Sequence, residues 1–162
     1  MGLREDLEDP DPGPLAGYCG DVPEEVACLL LAAAATRDEA EGESLLRQAH
    51  QQAPDNFAVY LGLYKFHFYR QHFAEAEHWM RAGLAAAAGA AGFPLDAPAA
   101  NHFTEPLGSA ARFYLFSLKA LAFTLLRQHR TAEARSYLDQ LERFDPQDRV
   151  GAELVKAIAA QC

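Results

Sequence analysis

An all-α fold is expected, and three features of the sequence carry that expectation. Alanine dominates a chain in which 50% of residues are apolar, β-branched residues are few, and alanine is the strongest helix former. Apolar residues recur at helical rather than alternating spacing through most of the chain. The third feature is an internal echo. Arg127-Gln128-His129-Arg130-Thr131-Ala132-Glu133-Ala134 repeats Arg70-Gln71-His72-Phe73-Ala74-Glu75-Ala76 with one residue inserted, and a repeat constrains architecture more than any isolated motif does.

With 162 residues the chain is long enough for one domain with a real core, expected over 21–162. Residues 1–20 interleave Glu5, Asp6, Glu8, Asp9 and Asp11 with Pro10, Pro12, Gly13 and Pro14. Such a stretch buries too little surface to offset its ordering entropy and reads as an acidic mobile tail, either solubilising or an arm that folds onto a basic patch of a partner.

The domain is expected to open at Asp21-Val22-Pro23-Glu24-Glu25, with an Asp cap, a first-turn proline and acids facing the positive end of the helix dipole. A buried helix follows through Ala35, broken by Thr36-Arg37-Asp38. A second runs over 39–52 with Leu45, Leu46 and Ala49 as its inner stripe. Pro54-Asp55-Asn56 separates it from the next. The helix over 57–71 is apolar around most of its circumference, from Phe57 to Tyr69, and must therefore be covered on several sides. Its mate over 74–88 packs through Ala76, Trp79, Met80, Gly83 and Leu84.

From 89 to 108 the periodicity dissolves, and loops of that length tend to be functional or disordered, so this one reads either as a partner-contacting or groove-covering loop or as a tolerated insertion. Phe93, Asn101, His102, Phe103 and Glu105 are the residues there suited to touching a partner. Helices over 110–128, capped by Ser109, and over 131–144, stopped by Asp145-Pro146, restore the pattern. A last helix over 148–160 places Val150, Leu154, Ala157 and Ile158 on one side, as a capping helix needs.

Composition excludes several functions. A net charge of −9, from 14 basic and 23 acidic residues, disfavours nucleic acid and anionic membrane as partners. The acidic N-terminus is unlike a secretory signal and no unbroken apolar run reaches a membrane-spanning length. Cys19, Cys28 and Cys162 read as reduced thiols of a cytoplasmic protein. His67, His72 and His78 lack the three- or four-residue spacing of helical metal pairs, so no metal or other cofactor is expected. His102 and Glu105 could form an acid–base pair, but nothing nearby supplies a nucleophile or oxyanion donors. An enzyme is not expected.

The helix pairs resemble tetratricopeptide repeats. Unit 115–148 carries the pattern in Leu118, Leu121, Ala122, Leu125, Ala134, Leu138, Leu141 and Pro146. Unit 57–90 carries it in Tyr60, Leu63, His67, Ala76, Met80 and Gly83, with Tyr64 where the family has a small residue. Unit 23–56 carries it in Val26, Leu29, Leu30, Ala33, Gly42, Leu46, Ala49 and Pro54. The resemblance implies a TPR-like α-solenoid of about three helix pairs plus a C-terminal capping helix. Its concave face would present Ala27, Leu31 and Ala35, then Leu61, Lys65, Phe68 and Tyr69, then Phe116, Lys119, Phe123 and Arg127. Tyr64 would either splay its helix pair or fill space left by the insertion. Such a groove, apolar with a few cations, suits an amphipathic or partly acidic segment of another protein.

Residues 60–69 are also similar to small repeat proteins encoded among bacterial nitrogen-fixation genes. That likeness implies an accessory factor for nitrogenase or its assembly intermediates, monomeric or weakly dimeric when free. A secretion-type chaperone and a self-associating array are the alternatives on the same scaffold.

Overall fold

The computed structural model describes residues 20–162. Expectations for the acidic segment 1–20, Gly20 apart, and for Cys19 fall outside the described residues. Within these lie seven α-helices and no strand: α1 (Glu24–Ala35), α2 (Glu39–Gln52), α3 (Phe57–Tyr69), α4 (Phe73–Ala91), α5 (Ser109–Arg127), α6 (Thr131–Phe144) and α7 (Glu153–Ala160). A 3-10 turn, Ala100–Phe103, interrupts the α4–α5 connection.

The helix boundaries follow local chemistry. Asp38 caps α2 by accepting from the Glu41 N–H at 3.1 Å, and Asn56 caps α3 by accepting from Ala58 at 3.0 Å. Each such cap contributes about 1 kcal/mol. The cap expected from Asp21 does not form. Pro23 holds the N-cap position of α1, and the Asp21 carbonyl instead accepts from the Asn56 side chain at 3.1 Å. Ser109 likewise opens α5 as its first residue behind Gly108 and caps nothing. Helix α4 runs to Ala91, past its expected end, until Gly92 adopts φ 79°, a left-handed conformation that glycine takes without steric cost.

The repeated turns are equivalent in backbone but one residue out of step with the literal match. Gln71 and His129 both take the left-handed conformation, at φ 62° and 59°. Each is followed by a long capping bond, His72 N–H to the His67 carbonyl and Arg130 N–H to the Leu125 carbonyl, both 2.9 Å. Ala76 and Ala134 then occupy matching, fully buried sites, as do Leu63 and Leu121. All three pairs, Gln71–His129, Ala76–Ala134 and Leu63–Leu121, are 58 residues apart, so no residue is inserted between the two units here, and the literal Arg-Gln-His match is simply out of register.

Contacts fix how the helices run. Phe68 meets Phe73 across the α3–α4 turn, while a Cβ on Gly83 would stand 3.2 Å from Tyr60, so α3 and α4 are antiparallel. Gly42 against Phe66 and Leu46 against Gly62 make α2 antiparallel to α3. Helices α3 and α5 lie parallel, joined by Phe57 stacked on Phe113 at 4.7 Å and Phe68 tilted on Phe123 at 5.2 Å. Tyr64 is fully buried with its ring 5.4 Å from Phe68, so the residue at the expected small position is a core residue. Close approach of α3 and α4 falls to Gly83 instead. Helix α5 has the length and composition to cross a membrane, but 83% of that window is buried inside the protein. Its apolar surface is occupied by its neighbours.

The last helix is shorter than expected and rotated. It begins at Glu153, because Asp148 takes φ 54° and its carboxylate accepts from the Ala152 N–H. Val150 is buried in the turn, and the inner side of α7 is Val155 and Ala159, with Ile158 partly covered. Leu154, expected inside, is 50% exposed, and Ala157 is exposed.

Two consequences can be measured. A side chain at Gly83 would press on Met80, Phe113 and Tyr60 at 3.1–3.2 Å, so Gly83→Leu should destabilise by about 1–3 kcal/mol in denaturant titration, the usual cost of overpacking. His67, on α3, is 3% exposed, and neither ring nitrogen has a hydrogen-bond partner. Burial lowers its pKa from the ordinary 6.5, with Glu43 and Glu75 opposing. Between the ordinary and the lowered value only the unfolded chain takes up the proton, so stability falls as pH drops through that window. His67→Leu, matching Leu125 in the later pair, should flatten the decline of Tm between about pH 7 and 5.

Candidate protein-binding groove

The parallel helices α1 and α3 leave a concavity of about 400 Å³ between them, floored by α2 through Leu46. Gly62 makes the floor possible: Leu30 and Leu46 sit where a Cβ would come within 3.2 and 3.4 Å. Leu31 on α1 is 71% exposed and Tyr69 on α3 is 56% exposed. Large apolar groups this open, facing one groove, are the informative kind of exposed surface. Lys65 and Arg70 stand on the α3 side. Arg70 lies over the Phe66 ring at 3.7 Å and donates to the Phe66 carbonyl at 2.9 Å, which fixes its charge at the groove wall.

The sequence placed more residues in this groove than the structure does. Leu61 lines it but is buried, and Phe68 is buried against Phe123. On α5 the outward placement does not hold. Phe116 and Phe123 are core residues, and Lys119 is 1% exposed with its ammonium donating to the Val150 carbonyl at 2.8 Å. The reason is geometric: Phe123 faces α3 and Lys119 faces the turn before α7. Arg127 is half-buried over the Phe73 ring at 5.0 Å. Of the first unit's positions, Leu31 and Ala35 are exposed and Ala27 is half-buried.

The 89–108 insertion folds back on the chain. Phe93 and Phe103 are buried, packed with Tyr114 and Phe144, and His102 stacks on Phe93 at 5.0 Å. Burial in this cluster pushes the Tyr114 hydroxyl up to about 12. Both phenylalanines therefore point inward instead of toward a partner, leaving Asn101 and Glu105 exposed.

One residue that sequence reasoning missed holds this arrangement. Arg149 pairs with Asp145 at 2.8 Å and Glu105 at 2.9 Å, and donates to the carbonyls of Phe103 and Phe144. Asp145 is buried and also accepts from the Val150 N–H at 3.1 Å. The Arg149 hydrogen bond, with one from the Leu107 N–H, holds the Glu105 carboxyl below its usual range. The only signal in the sequence was an arginine four residues beyond Asp145, in a stretch read as helix.

A second ionic cluster ties α4 to the α5–α6 turn. Burial pushes the Glu77 pKa upward, but hydrogen bonds from Gln128, Arg81 and Arg130 overcome that and keep it low. Beside it a larger cleft of about 790 Å³ is lined by Arg81, Asp96, Tyr137, Asp139 and Arg143 among others. Its charges alternate in sign, and Arg81 is already engaged by Glu77 and the Tyr137 hydroxyl. The α1–α3 groove, apolar with cations on one side, is the better docking surface. Among the described residues no three metal-binding side chains converge.

Over 128 residues the chain is 28% identical to an uncharacterised 19.8 kDa protein encoded in the region 5′ of nifW in Azotobacter chroococcum mcd 1. The alignment spans 76% of this chain and 72% of that protein. No family model matches the chain, and neither does any solved structure.

Arg149→Leu should lower stability by about 2–4 kcal/mol, because it leaves the buried Asp145 carboxylate without its cation. Hydrogen exchange over 93–107 should speed up in the same variant. Glu105→Gln, at the exposed end of the cluster, should leave the midpoint nearly unchanged; an equal loss from both would place the stabilisation elsewhere.

Proposed function

We propose that this protein is a non-catalytic accessory factor of nitrogen fixation, a TPR-like adaptor or chaperone acting in the cytoplasm. It holds a segment of a nitrogenase component or assembly intermediate in the α1–α3 groove. The observation that carries the reading is the pair of open apolar side chains, Leu31 and Tyr69, facing one concavity with Lys65 and Arg70 beside them. An amphipathic segment with acidic residues matches that surface: its apolar side chains gain burial and its carboxylates gain cations.

The equivalent turns at Gln71 and His129 support a repeat scaffold, and such scaffolds present extended binding faces. The relative encoded beside nifW supports the nitrogen-fixation context. The expected client is a nitrogenase component or a protein of its assembly.

Co-purification from nitrogen-fixing cells tests the reading. The native chain should retain a nitrogenase component, and Leu31→Asp with Tyr69→Asp should reduce that retention at least about tenfold, the effect of losing two anchors worth roughly 1.4 kcal/mol or more together. Far-ultraviolet circular dichroism should stay unchanged, since both side chains are already open to solvent. Undiminished retention by the double variant would remove the groove as the site. Retention of a secretion substrate in place of a nitrogenase protein would favour the secretion-chaperone reading.

A further inference from the structure

We infer that the acidic N-terminal segment, residues 1–19, docks in cis in the α1–α3 groove, making it a built-in competitor for whatever else binds there. The docking itself is independent of any client. Its regulatory consequence rests on the client reading proposed above.

The described chain starts at the right place. A Cβ on Gly20 would lie 3.6 Å from the Ser109 hydroxyl, and the Asp21 carbonyl is bonded to the Asn56 side chain. Ser109 opens α5 and Asn56 caps α3, so the chain enters where the first turns of those two helices lie together. Helix α1 begins three residues later and runs parallel to α3, with Leu30 against Gly62. Residues 1–19 are therefore tethered at one mouth of the groove, and Tyr69 and Arg70 stand at the other.

The reach is sufficient. Helix α3 has 13 residues, a length of about 20 Å. The stretch 10–19, with Pro10, Pro12 and Pro14, covers up to about 30 Å at about 3.1 Å per residue. That places residues 3–9 anywhere along the groove.

The chemistry is complementary. Leu3 and Leu7 are four apart, on one side of a helical turn, and Glu5, Asp6, Glu8 and Asp9 surround them. The groove offers Leu31 and Tyr69 to the leucines and Lys65 and Arg70 to the acids. No carboxylate among the described residues pairs with Arg70. Tethering does the rest: a short linker gives an effective concentration on the order of 1 mM, so a segment with an intrinsic Kd of about 100 µM would fill the groove about nine-tenths of the time. A client must displace it, and its apparent affinity drops about tenfold.

The test uses the full chain. Gly2→Cys, in a background of Cys19→Ser, Cys28→Ser and Cys162→Ser, takes a nitroxide label, and amide signals report which backbone it approaches. Broadening should concentrate on residues 30–34 and 61–70, be independent of protein concentration, and fade in about 0.5 M salt and in Lys65→Glu with Arg70→Glu. Broadening absent from the groove, or transferred between labelled and unlabelled copies, overturns the proposal. Leu3→Ser with Leu7→Ser should abolish the broadening of the groove signals while the helical signals persist. The same double substitution, without the label, should raise nitrogenase-component retention several-fold. If the broadening appears as expected but Leu31→Asp with Tyr69→Asp leaves retention intact, cis docking stands and the client site fails.

Discussion

The packing of α4 against both α3 and α5 is the contact on which the rest of the structure depends: Gly83 meets Tyr60 of α3 and Phe113 of α5, and two ring pairs align the parallel α3–α5 pair. Phe57 on Phe113 pins the first turns of that pair and Phe68 on Phe123 the last. Ring pairs of this kind contribute beyond their buried area and tolerate few relative positions. Helix α4 packs along both of them, α6 packs along α5, and α2 closes α3 from another flank. Helix α3 is thereby enclosed, which is why its circumference can be apolar without becoming an aggregation surface. The one part of α3 left open is the side toward α1, because α1 contributes a sparse apolar stripe whose buried members are Val26 and Ala33.

What could be read from the sequence was the part set by local chemistry. The all-round apolarity of 57–69, the Asp38 break and the stop at Asp145-Pro146 each rest on a few adjacent residues, and each appears in the structure. What could not be read depends on contacts distant in the chain. The last helix was assigned from apolar spacing beginning at Val150, yet a left-handed Asp148 and its bond to Ala152 consume that turn and rotate the helix by one position. The repeat matched Arg-Gln-His to Arg-Gln-His, whereas the backbone matches Gln71 to His129. Residue identity at a turn is a weaker marker than which residue can bear a positive φ.

The candidate site shows the same division. Leu31 and Tyr69 stand open where the tetratricopeptide resemblance implied outward positions. Phe116, Lys119 and Phe123 do not, since a position carried over from a resemblance does not say what packs opposite it in this chain. Lys119 is the instructive case. A lysine on a greasy helix suggested a groove cation, but its ammonium caps the Val150 carbonyl, and its stem runs through the core. Arg149 was invisible for the opposite reason. Arg149 lies 44 residues from Glu105 and 46 from Phe103, and only the folded chain brings them to 2.9 and 3.0 Å.

The distribution of charge follows from this architecture and bears on selectivity. An acidic protein repels acidic clients at long range, so a groove that selects acidic segments needs its cations close to where they dock. Arg70 is placed accordingly: its guanidinium rests on the Phe66 ring and its position is set by a backbone carbonyl, so little side-chain freedom is lost when a carboxylate arrives. Residues 1–19 hold five of the 23 acids and Arg4, a local excess of negative charge in the sequence. Under the proposed cis docking, a client would have to bring better apolar anchors for Leu31 and Tyr69 than Leu3 and Leu7 supply, because a tethered segment holds the advantage in concentration. On that proposal, selection would rest on shape in the apolar floor around Gly62, with charge acting as the threshold that weakly matched segments fail to cross.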